Sequence, residues 1–343
     1  MAGEPLLQVK DLKVHFPTDD GLVKAVDGIS FTVDRGQTLG VVGESGSGKS
    51  VTFMTIMGLI NRKKAHVEGE VIFAGRDLLK MPEDELRTIR GDGMGMVFQD
   101  PMTSLHPYYK VGNQIAEAIL THRDVSKDEA FEKAIEMLTV VGIPQPGDRA
   151  RQYPHEYSGG MRQRAMIAMA LALNPDLLIA DEPTTALDVT VQAQILELIA
   201  RLKEEFNIGV VLITHDLGVV HDVANRVMVM YAGKAAELGT RDEVFQNPLH
   251  PYAWGLLESI PHVDQKGTRL VPIEGLPPSL IFVPPGCPFH PRCPHRFEPC
   301  DKDVPLLTDR GGGHPDACHL KIEDKQRIRS EREAGRRSRK AAS

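Results

Sequence analysis

The stretch Gly43-Glu44-Ser45-Gly46-Ser47-Gly48-Lys49-Ser50 decides how this sequence is interpreted. It fits the pattern G-x-x-x-x-G-K-[S/T], follows a short apolar strand predicted over residues 37–42 and precedes an apolar-faced helix predicted over residues 51–60. Its glycines let backbone amides approach phosphates, and the helix N-terminus adds its positive end. Lys49 is expected to reach the β- and γ-phosphates of a nucleotide, and Ser50 to offer a hydroxyl to Mg²⁺. The stretch therefore predicts a phosphate-binding loop.

The overall composition is that of an ordinary globular protein. Of the 343 residues, 25% are charged and 41% are apolar, and this length allows about two domains. No run of 18 or more apolar residues predicts a membrane-spanning helix, and residues 1–10 lack the plan of a signal peptide. We therefore expect a cytoplasmic protein that does not cross a membrane by itself.

Charge is distributed unevenly along the chain. The net charge is −7, but the residues from Lys321 onward hold nine Lys/Arg against four Asp/Glu, a net charge of +5. The remaining residues 1–320 carry −12, which argues against a general nucleic-acid binder. Because residues 321–343 are strongly basic and almost free of apolar side chains at their end, we predict a disordered basic tail there.

The pattern of apolar residues indicates an α/β fold. Residues 6–16 and 23–33 read as strands of an antiparallel sheet that leads into the phosphate-loop strand. From residue 100 onward the pattern becomes helical, which predicts a helical subdomain over about residues 100–175. Further strands then alternate with helices, so we predict a mixed, mainly parallel sheet as the core, with the active residues at the carboxyl ends of its strands.

One predicted strand ends in two adjacent carboxylates. The apolar residues 177–180 are followed directly by Asp181 and Glu182. Asp181 is placed to hold Mg²⁺ directly or through water beside the phosphate loop. Glu182 is expected to polarise a water molecule for attack on the γ-phosphorus as a general base.

Six elements together make the chain resemble the ATP-binding-cassette (ABC) ATPases over about residues 6–245. In chain order they are the phosphate loop, Gln99 after a strand, Ser158-Gly159-Gly160, Asp181-Glu182, Ala186-Leu187-Asp188 and His215. The Ser-Gly-Gly element separates this family from kinases, GTPases and other phosphate-loop proteins. The resemblance implies an ABC-type ATPase with ATP and Mg²⁺ as its nucleotide and metal.

The resemblance also implies roles for individual residues around the nucleotide. Phe16 matches the aromatic residue that stacks on adenine, although the family more often has tyrosine there. Gln99 matches the residue that contacts Mg²⁺ and the attacking water, so Ser50, Gln99 and Asp181 form the expected magnesium site. His215 matches the switch histidine that touches the γ-phosphate.

Further matching residues imply a dimer. Ser158, Gly159 and Gly160 resemble the signature that contacts the γ-phosphate bound to a partner ATPase subunit, and Asp188 resembles the aspartate that communicates across the dimer. Met161 replaces the usual glutamine, which puts side-chain bonding at that position in doubt but leaves the backbone amides intact. In this family two cassettes close head to tail over two ATP molecules.

A narrower resemblance points to the ATPase subunits of bacterial oligopeptide and dipeptide importers. It covers the chain up to about Leu320 and rests on the stretches 98–105, 181–188 and 250–252, although His106 departs from the usual asparagine. It implies an ATP-hydrolysing subunit on the cytoplasmic face of the inner membrane that powers peptide import. The implied partners are two transmembrane permeases, a second ABC ATPase that is expected to be a paralogue, and an extracytoplasmic peptide-binding protein.

Other functions remain open at this stage. A close relative could take up nickel, an oligosaccharide or another solute, since cargo is chosen by other subunits. A soluble ABC ATPase of DNA repair or translation is a further alternative, but such proteins usually carry two cassettes or a long coiled coil. A regulatory subunit that does not hydrolyse ATP is opposed by the presence of both Glu182 and His215.

The composition changes after residue 247, which divides the chain into an ABC ATPase domain (1–247) and a small appendage (248–320). Residues 248–315 hold fourteen of the 24 prolines and show little periodicity. Such a module buries little apolar surface and usually needs an additional stabilising group, such as a bound metal. All four cysteines of the chain lie in it, namely Cys287, Cys293, Cys300 and Cys318.

The cysteine spacing C-x5-C-x6-C-x17-C differs from the paired C-x-x-C of zinc ribbons. Disulfides are disfavoured in the cytosol, and four thiolates suit either zinc or a 4Fe-4S cluster. Some members of the importer subfamily carry an iron–sulfur cluster, so the resemblance favours a structural 4Fe-4S cluster over zinc or unliganded thiols. We expect His290, Arg292 and His295 to offset its negative charge.

Overall fold

The computed structural model describes residues 4–185, 187–259 and 272–341. Its strands are β1 (Leu7–Thr18), β2 (Gly21–Val33), β3 (Thr38–Val42), β4 (His66–Phe73), β5 (Arg76–Asp77), β6 (Met94–Val97), β7 (Leu177–Asp181), β8 (Gly209–Ile213), β9 (Arg226–Tyr231) and β10 (Lys234–Thr240). Its helices are α1 (Lys49–Ile56), α2 (Glu83–Asp92), α3 (Pro101–Ser104), α4 (Val111–His122), α5 (Lys127–Val140), α6 (Pro146–Arg149), α7 (Gly159–Leu171), α8 (Val189–Phe206), α9 (Leu217–Val223), α10 (Arg241–Gln246), α11 (Pro251–Glu258) and α12 (Ile322–Ala341). Short 3₁₀ turns cover Pro154–Glu156 and His290–Arg292.

The first strands form an antiparallel sheet with the order β2-β1-β4-β5. Leu7, Val9, Leu12 and Val14 of β1 are buried, as expected for a strand with one face on the core. Phe16 lies opposite Val23 across the β1–β2 pair. The antiparallel sheet predicted from the alternating pattern is therefore confirmed.

The larger sheet has the order β10-β9-β3-β8-β7-β6. Its strands pair in parallel, except that β10 is antiparallel to β9. Strands β3, β7 and β8 are buried along their whole length, because helices or the other sheet cover both faces. Parallel pairing brings the carboxyl ends of these neighbouring strands to one edge, where the predicted active residues follow them.

The helix after the phosphate loop differs in its bounds from the one predicted over residues 51–60. It begins at Lys49, inside the loop itself, and ends at Ile56. Gly58 then adopts a left-handed backbone with φ of 65°, a conformation that commonly ends a helix. The helix N-terminus thus lies closer to the phosphate-binding amides than the apolar pattern suggested.

A helical region stands between β6 and β7. Helices α4, α5 and α7 share one apolar core that includes Ile115, Leu138 and Ile167. A capping box is present at the start of α5, where the Ser126 hydroxyl accepts from the Glu129 amide and the Glu129 carboxylate accepts from the Ser126 amide. The same core includes Leu178 and Leu212 of the larger sheet, so the helical region packs against that sheet.

The appendage shares an apolar core with the larger sheet. Tyr252 and Ala253 of α11 pack in the same cluster as Val227 and Val229 of β9, together with Phe289. Few regular elements follow α11 in the described residues, as the proline content suggested. A segment with little core of its own is thus stabilised against a face of the ATPase fold.

The C-terminal segment differs from the disordered tail predicted over residues 321–343. Residues 322–341 form α12, and residues 342–343 lie outside the described part of the chain. The Lys325 ammonium is buried against Asp316, and Arg332 forms an ion pair of 2.6 Å with Glu258. Arg332 also lies 5.5 Å over the ring of Trp254. Charge composition alone did not reveal that these cations have partners on the appendage.

No helix in the described ranges has both the length and the apolar character needed to cross a membrane.

Candidate active site

The phosphate loop connects β3 to α1. Two of its glycines occupy positions where the backbone conformation and the close neighbours leave no room for a side chain. Gly43 and Gly48 have φ values of 154° and 98°. A Cβ atom at Gly43 would lie 2.2 Å from the carbonyl oxygen of Met230, and one at Gly48 would lie 2.2 Å from that of Ala25. Larger residues at these two positions would therefore displace the loop from the strands that hold it.

Lys49 lies at the centre of the loop. Its side chain is 7% exposed, and its Nζ donates to the carbonyl oxygens of Gly43 at 2.8 Å and Glu44 at 3.0 Å. Burial lowers the pKa of Lys49, while the nearby carboxylates of Glu182, Asp181 and Glu44 favour its charged form. The loop thus holds a largely desolvated cation where phosphate oxygens are expected.

Asp181 ends β7 beside Ser50. It is 4% exposed, and its Oδ1 has no hydrogen-bond partner among the described residues. Burial raises the pKa of Asp181, and a hydrogen bond with the Ser50 side chain opposes that shift. A buried carboxylate oxygen that lacks a donor, next to a serine hydroxyl, suits a hard cation such as Mg²⁺. The residues present therefore fit the predicted magnesium site.

Glu182 directly follows β7, and its side chain contacts residues that follow the neighbouring strands β6 and β8. Its Oε2 accepts from the Gln99 side-chain amide at 2.9 Å, and its Oε1 lies 3.3 Å from Nδ1 of His215. The Glu182 amide also donates to the carbonyl oxygen of Ile213 at 2.8 Å. Three residues predicted separately from sequence are thus brought together at one edge of the sheet.

The backbone of Glu182 is strained. Its φ of 47° is left-handed, which costs a side chain other than glycine about 1 kcal/mol or more. Thr185, which the sequence did not single out, donates its hydroxyl to Glu182 Oε2 at 2.9 Å. Gln99, His215 and Thr185 thus all contact the carboxylate of a residue with a strained backbone.

The signature residues lie apart from the phosphate loop of their own chain. Ser158 precedes α7, and its hydroxyl accepts from the Met161 amide at 3.3 Å. Ser158 and Gly159 are exposed. No hydrogen bond or ion pair in the described ranges connects Ser158, Gly159 or Gly160 to the phosphate loop. The amides at this helix N-terminus face outward.

Asp188 immediately precedes α8, and the start of α8 lies beside the start of α7. Its Oδ1 accepts from the Val191 amide at 3.0 Å, which is an N-terminal cap. A Cβ atom at Gly160 would lie 2.7 Å from the Val191 side chain, so the starts of α7 and α8 are in close contact. Ala186, part of the same predicted element, lies outside the described residues.

A cleft of about 470 Å³ opens beside the phosphate loop. Its lining residues are Val23, Glu44, Ser45, Gly46, Ser47, Tyr231, Ala232, Pro277, Pro278, Ser279, Leu280 and Ile281. Phe16 is not among them, but it lies opposite Val23 and packs partly against the core. The segment Pro277–Ile281 comes from the appendage, which the sequence did not connect with nucleotide binding.

The four cysteines line one small cavity of the appendage together with His250, His290 and His295. All four are free thiols, and the amide of Cys287 donates to the carbonyl oxygen of Cys300 at 2.8 Å. Burial raises the pKa of Cys293 to about 11 and that of Cys318 to about 12. In the described part of the chain, no three His, Cys, Asp or Glu side chains are grouped to hold a single metal ion.

We expected Arg292 to offset the charge at the cysteines, but its guanidinium pairs with a different residue. Its Nη1 and Nη2 donate to the two carboxylate oxygens of Glu44 in the phosphate loop, at 2.6 Å and 3.0 Å. The residues are 248 positions apart. No local motif signals such a pairing.

Two family models match separate parts of the chain. The family model of the ABC transporter matches residues 26–185, and that of the oligopeptide/dipeptide transporter C-terminal region matches residues 236–300. The chain is 53% identical to the dipeptide transport ATP-binding protein DppD of Bacillus subtilis, over 92% of this chain and 95% of that protein. It is 51% identical to the oligopeptide transport ATP-binding protein OppD of Salmonella typhimurium, over 93% and 95%.

A solved structure shares the fold of the ATPase part. The dimeric post-hydrolysis state of the ATP-binding cassette MJ0796, bound to ADP and Pi, superposes with a TM-score of 0.62. The two sequences are 29% identical, and the match covers 68% of this chain and 98% of that one.

Proposed function

The chain belongs to the ABC transporter family, among the peptide transport ATP-binding proteins, and we propose that it is the ATP-hydrolysing subunit of an oligopeptide or dipeptide importer of the bacterial inner membrane. The observation that carries the proposal is the contact of Glu182 with Gln99 and His215 beside the phosphate loop. The match to the C-terminal region of oligopeptide/dipeptide transporters supports peptides as the cargo.

Nucleotide binding is assigned to the phosphate loop. The amides of residues 43–50 and the N-terminus of α1 would surround the phosphates, and Lys49 would bind the β- and γ-phosphate oxygens. Phe16 and Val23 would contact the base from the antiparallel sheet. Mg²⁺, when bound by Ser50, Asp181 and Gln99, would neutralise charge that develops on the phosphate oxygens.

Hydrolysis is assigned to Glu182. Its carboxylate would accept a proton from the attacking water as the oxygen of that water bonds to the γ-phosphorus and the bond to the ADP oxygen breaks. Gln99 and His215 hold the carboxylate from two sides, and His215 would contact the γ-phosphate. The Thr185 hydroxyl adds a further hydrogen bond to this carboxylate.

A second cassette would complete the site. The exposed signature at Ser158, Gly159 and Gly160 has a hydroxyl and amides at a helix N-terminus, which suit a phosphate bound to another subunit. Asp188, next to that signature, would lie near the same interface. The solved relative is itself a dimer.

The assembly would contain two permeases, a paralogous second ATPase and an extracytoplasmic peptide-binding protein, with this chain at the cytoplasmic face of the membrane. Nickel or oligosaccharide uptake is the first alternative, since other subunits choose the cargo. A soluble ABC ATPase is the second. The similarity to peptide transport proteins over more than nine-tenths of the chain favours the importer.

For the appendage we propose a 4Fe-4S cluster held by Cys287, Cys293, Cys300 and Cys318. Support comes from the shared cavity that all four thiols line. Four thiols and no carboxylate line this cavity, and four thiolates are the usual ligands of such a cluster. Because burial disfavours the free thiolates, binding of a positively charged group would provide the energy to deprotonate them.

The subunit assignment is tested by purifying the tagged chain from its native membranes in detergent and identifying every co-purifying protein by mass spectrometry. Two permeases, a second cassette and a peptide-type binding protein are expected. Recovery from the soluble fraction with ribosomal or DNA-repair proteins would instead support a soluble ABC ATPase.

A further inference from the structure

Arg292 connects the cysteine-bearing appendage to the phosphate loop. Its guanidinium makes a two-pronged ion pair with Glu44, in which both carboxylate oxygens accept a hydrogen bond. Arg292 is the last residue of the turn His290–Arg292, and Cys293 follows it directly in sequence. The same short stretch of chain thus contributes to the cysteine cavity and to the nucleotide loop.

The pair is shielded from solvent. The Arg292 side chain is 5% exposed and that of Glu44 is 27% exposed. The guanidinium lies 5.8 Å from the ring centre of Tyr231 and 6.0 Å from that of Phe289. Arginine is suited to such a site, because its planar fork matches a carboxylate and its faces pack on aromatic rings.

The rest of Arg292 is also fixed. Its Nε donates to the carbonyl oxygen of Glu274 at 3.0 Å, and its Nη2 donates to that of Ile273 at 3.3 Å. These carbonyls precede the segment Pro277–Ile281, which lines the cleft beside the phosphate loop. Leu280 in that segment accepts from the Lys24 amide at 2.9 Å. Arg292 therefore holds two walls of one cleft.

Glu44 is held at its backbone as well. Its amide donates to the hydroxyl of Tyr252 at 2.9 Å, and its carbonyl oxygen accepts from Lys49 Nζ. Tyr252 belongs to α11 of the appendage. A shift of Glu44 would thus move the lysine that is assigned to the phosphates.

We propose that Arg292 is a positioning residue for nucleotide binding, which fixes the phosphate loop through Glu44 and makes the cysteine-bearing appendage part of the nucleotide site. The inference rests on the proposed binding of ATP by this chain. Arg292 itself would touch neither ATP nor the cysteine-bound group. It would act by lowering the free energy of the loop conformation that binds phosphate.

The test is a double-mutant cycle on the full-length chain, purified anaerobically, with the Kd for MgATP measured by titration calorimetry. Arg292→Gln is expected to raise Kd roughly tenfold, within the range typical of coupling between two sites. Glu44→Gln should raise it by a similar factor. The double variant should be no weaker than either single variant, because both remove the same interaction.

The matched control is Arg296→Gln, which neutralises an exposed arginine of the same appendage. It should bind MgATP like the wild-type chain. Metal content and thermal unfolding of every variant identify any loss of the folded appendage. If Arg292→Gln does not fold, Arg292→Lys, Glu44→Gln and their combination form the same cycle.

The outcomes separate the inference from the proposed function. Failure of the wild-type chain to bind MgATP would overturn the proposed function and, with it, this inference. Wild-type binding together with an unchanged Kd in folded Arg292→Gln would overturn the inference alone. The inference is also overturned if Arg292→Gln weakens binding as strongly in the Glu44→Gln background as in the wild-type background.

Discussion

The side-chain amide of Gln99 donates to Oε2 of Glu182 at 2.9 Å, although the two residues are 83 positions apart. They follow β6 and β7, which pair in parallel, so their strand ends meet at one edge of the sheet. His215 contacts the other oxygen of the same carboxylate from the end of the neighbouring strand β8. The arrangement places one carboxylate between two groups that can contact phosphate or water.

Glu182→Gln should separate binding from hydrolysis. The amide retains the size of the side chain but cannot accept a proton from water, so ATP turnover by the assembled complex should fall about 10²–10⁴-fold. The Kd for MgATP should stay close to that of the wild type. The matched control is Glu205→Gln on the exposed face of α8. Turnover of Glu182→Gln equal to that of this control would contradict the general-base role.

Asp181→Asn should stabilise the nucleotide-free protein while it lowers activity. The buried Oδ1 has no donor and burial raises the pKa of this carboxyl, so a neutral amide should raise the free energy of unfolding by about 1 kcal/mol. Hydrolysis should fall because the magnesium ligand is lost. Thermal unfolding without nucleotide is the measurement, and Asp222→Asn, which is exposed, is the control. A lower stability of Asp181→Asn would argue against a role confined to the metal.

Much of this site could be predicted from local sequence. The phosphate loop and the strand that ends in Asp181 and Glu182 each depend on a short pattern with its own physical cause. The pairing of Arg292 with Glu44 could not be predicted, because it joins residues 248 positions apart through a proline-rich segment without periodicity. Thr185 was missed for another reason. Its contact with Glu182 depends on the left-handed turn, which no residue type in the stretch signals.

The C-terminal helix α12 could not be predicted from charge composition. Its charge suggested disorder, but Lys325 is 1% exposed in its ion pair with Asp316, which is fully buried. Composition does not indicate whether a charged side chain has a partner elsewhere in the chain. Arg332 of the same helix likewise pairs with a distant residue, Glu258 of α11.

Lys325→Met should therefore destabilise the protein strongly. Removal of one partner of a buried ion pair leaves the other uncompensated, which costs about 3–5 kcal/mol. Chemical denaturation gives the free energy of unfolding. Lys321→Met, at an exposed position just before α12, should cost little. Equal stability of the two variants would show that α12 does not dock on the appendage in solution.

Cys300→Ser should remove the metal from the appendage. We expect the anaerobically purified wild-type chain to be brown and to contain about four irons, as a 4Fe-4S cluster requires. The variant should be colourless, contain little iron and unfold at a lower temperature. Iron and zinc analysis of both proteins is the measurement. One zinc per chain and no visible absorption in the wild type would refute the cluster.

The most direct test of the central claim is peptide uptake by the purified complex in proteoliposomes, with ATP enclosed on the side of this subunit and the binding protein on the other. We predict that di- or oligopeptides accumulate with wild-type chain and MgATP. Uptake should be lost when the chain carries Glu182→Gln, although the complex still assembles. Transport that continues at the wild-type rate with Glu182→Gln, or ATP-driven uptake of nickel or an oligosaccharide without any peptide uptake, would contradict the account.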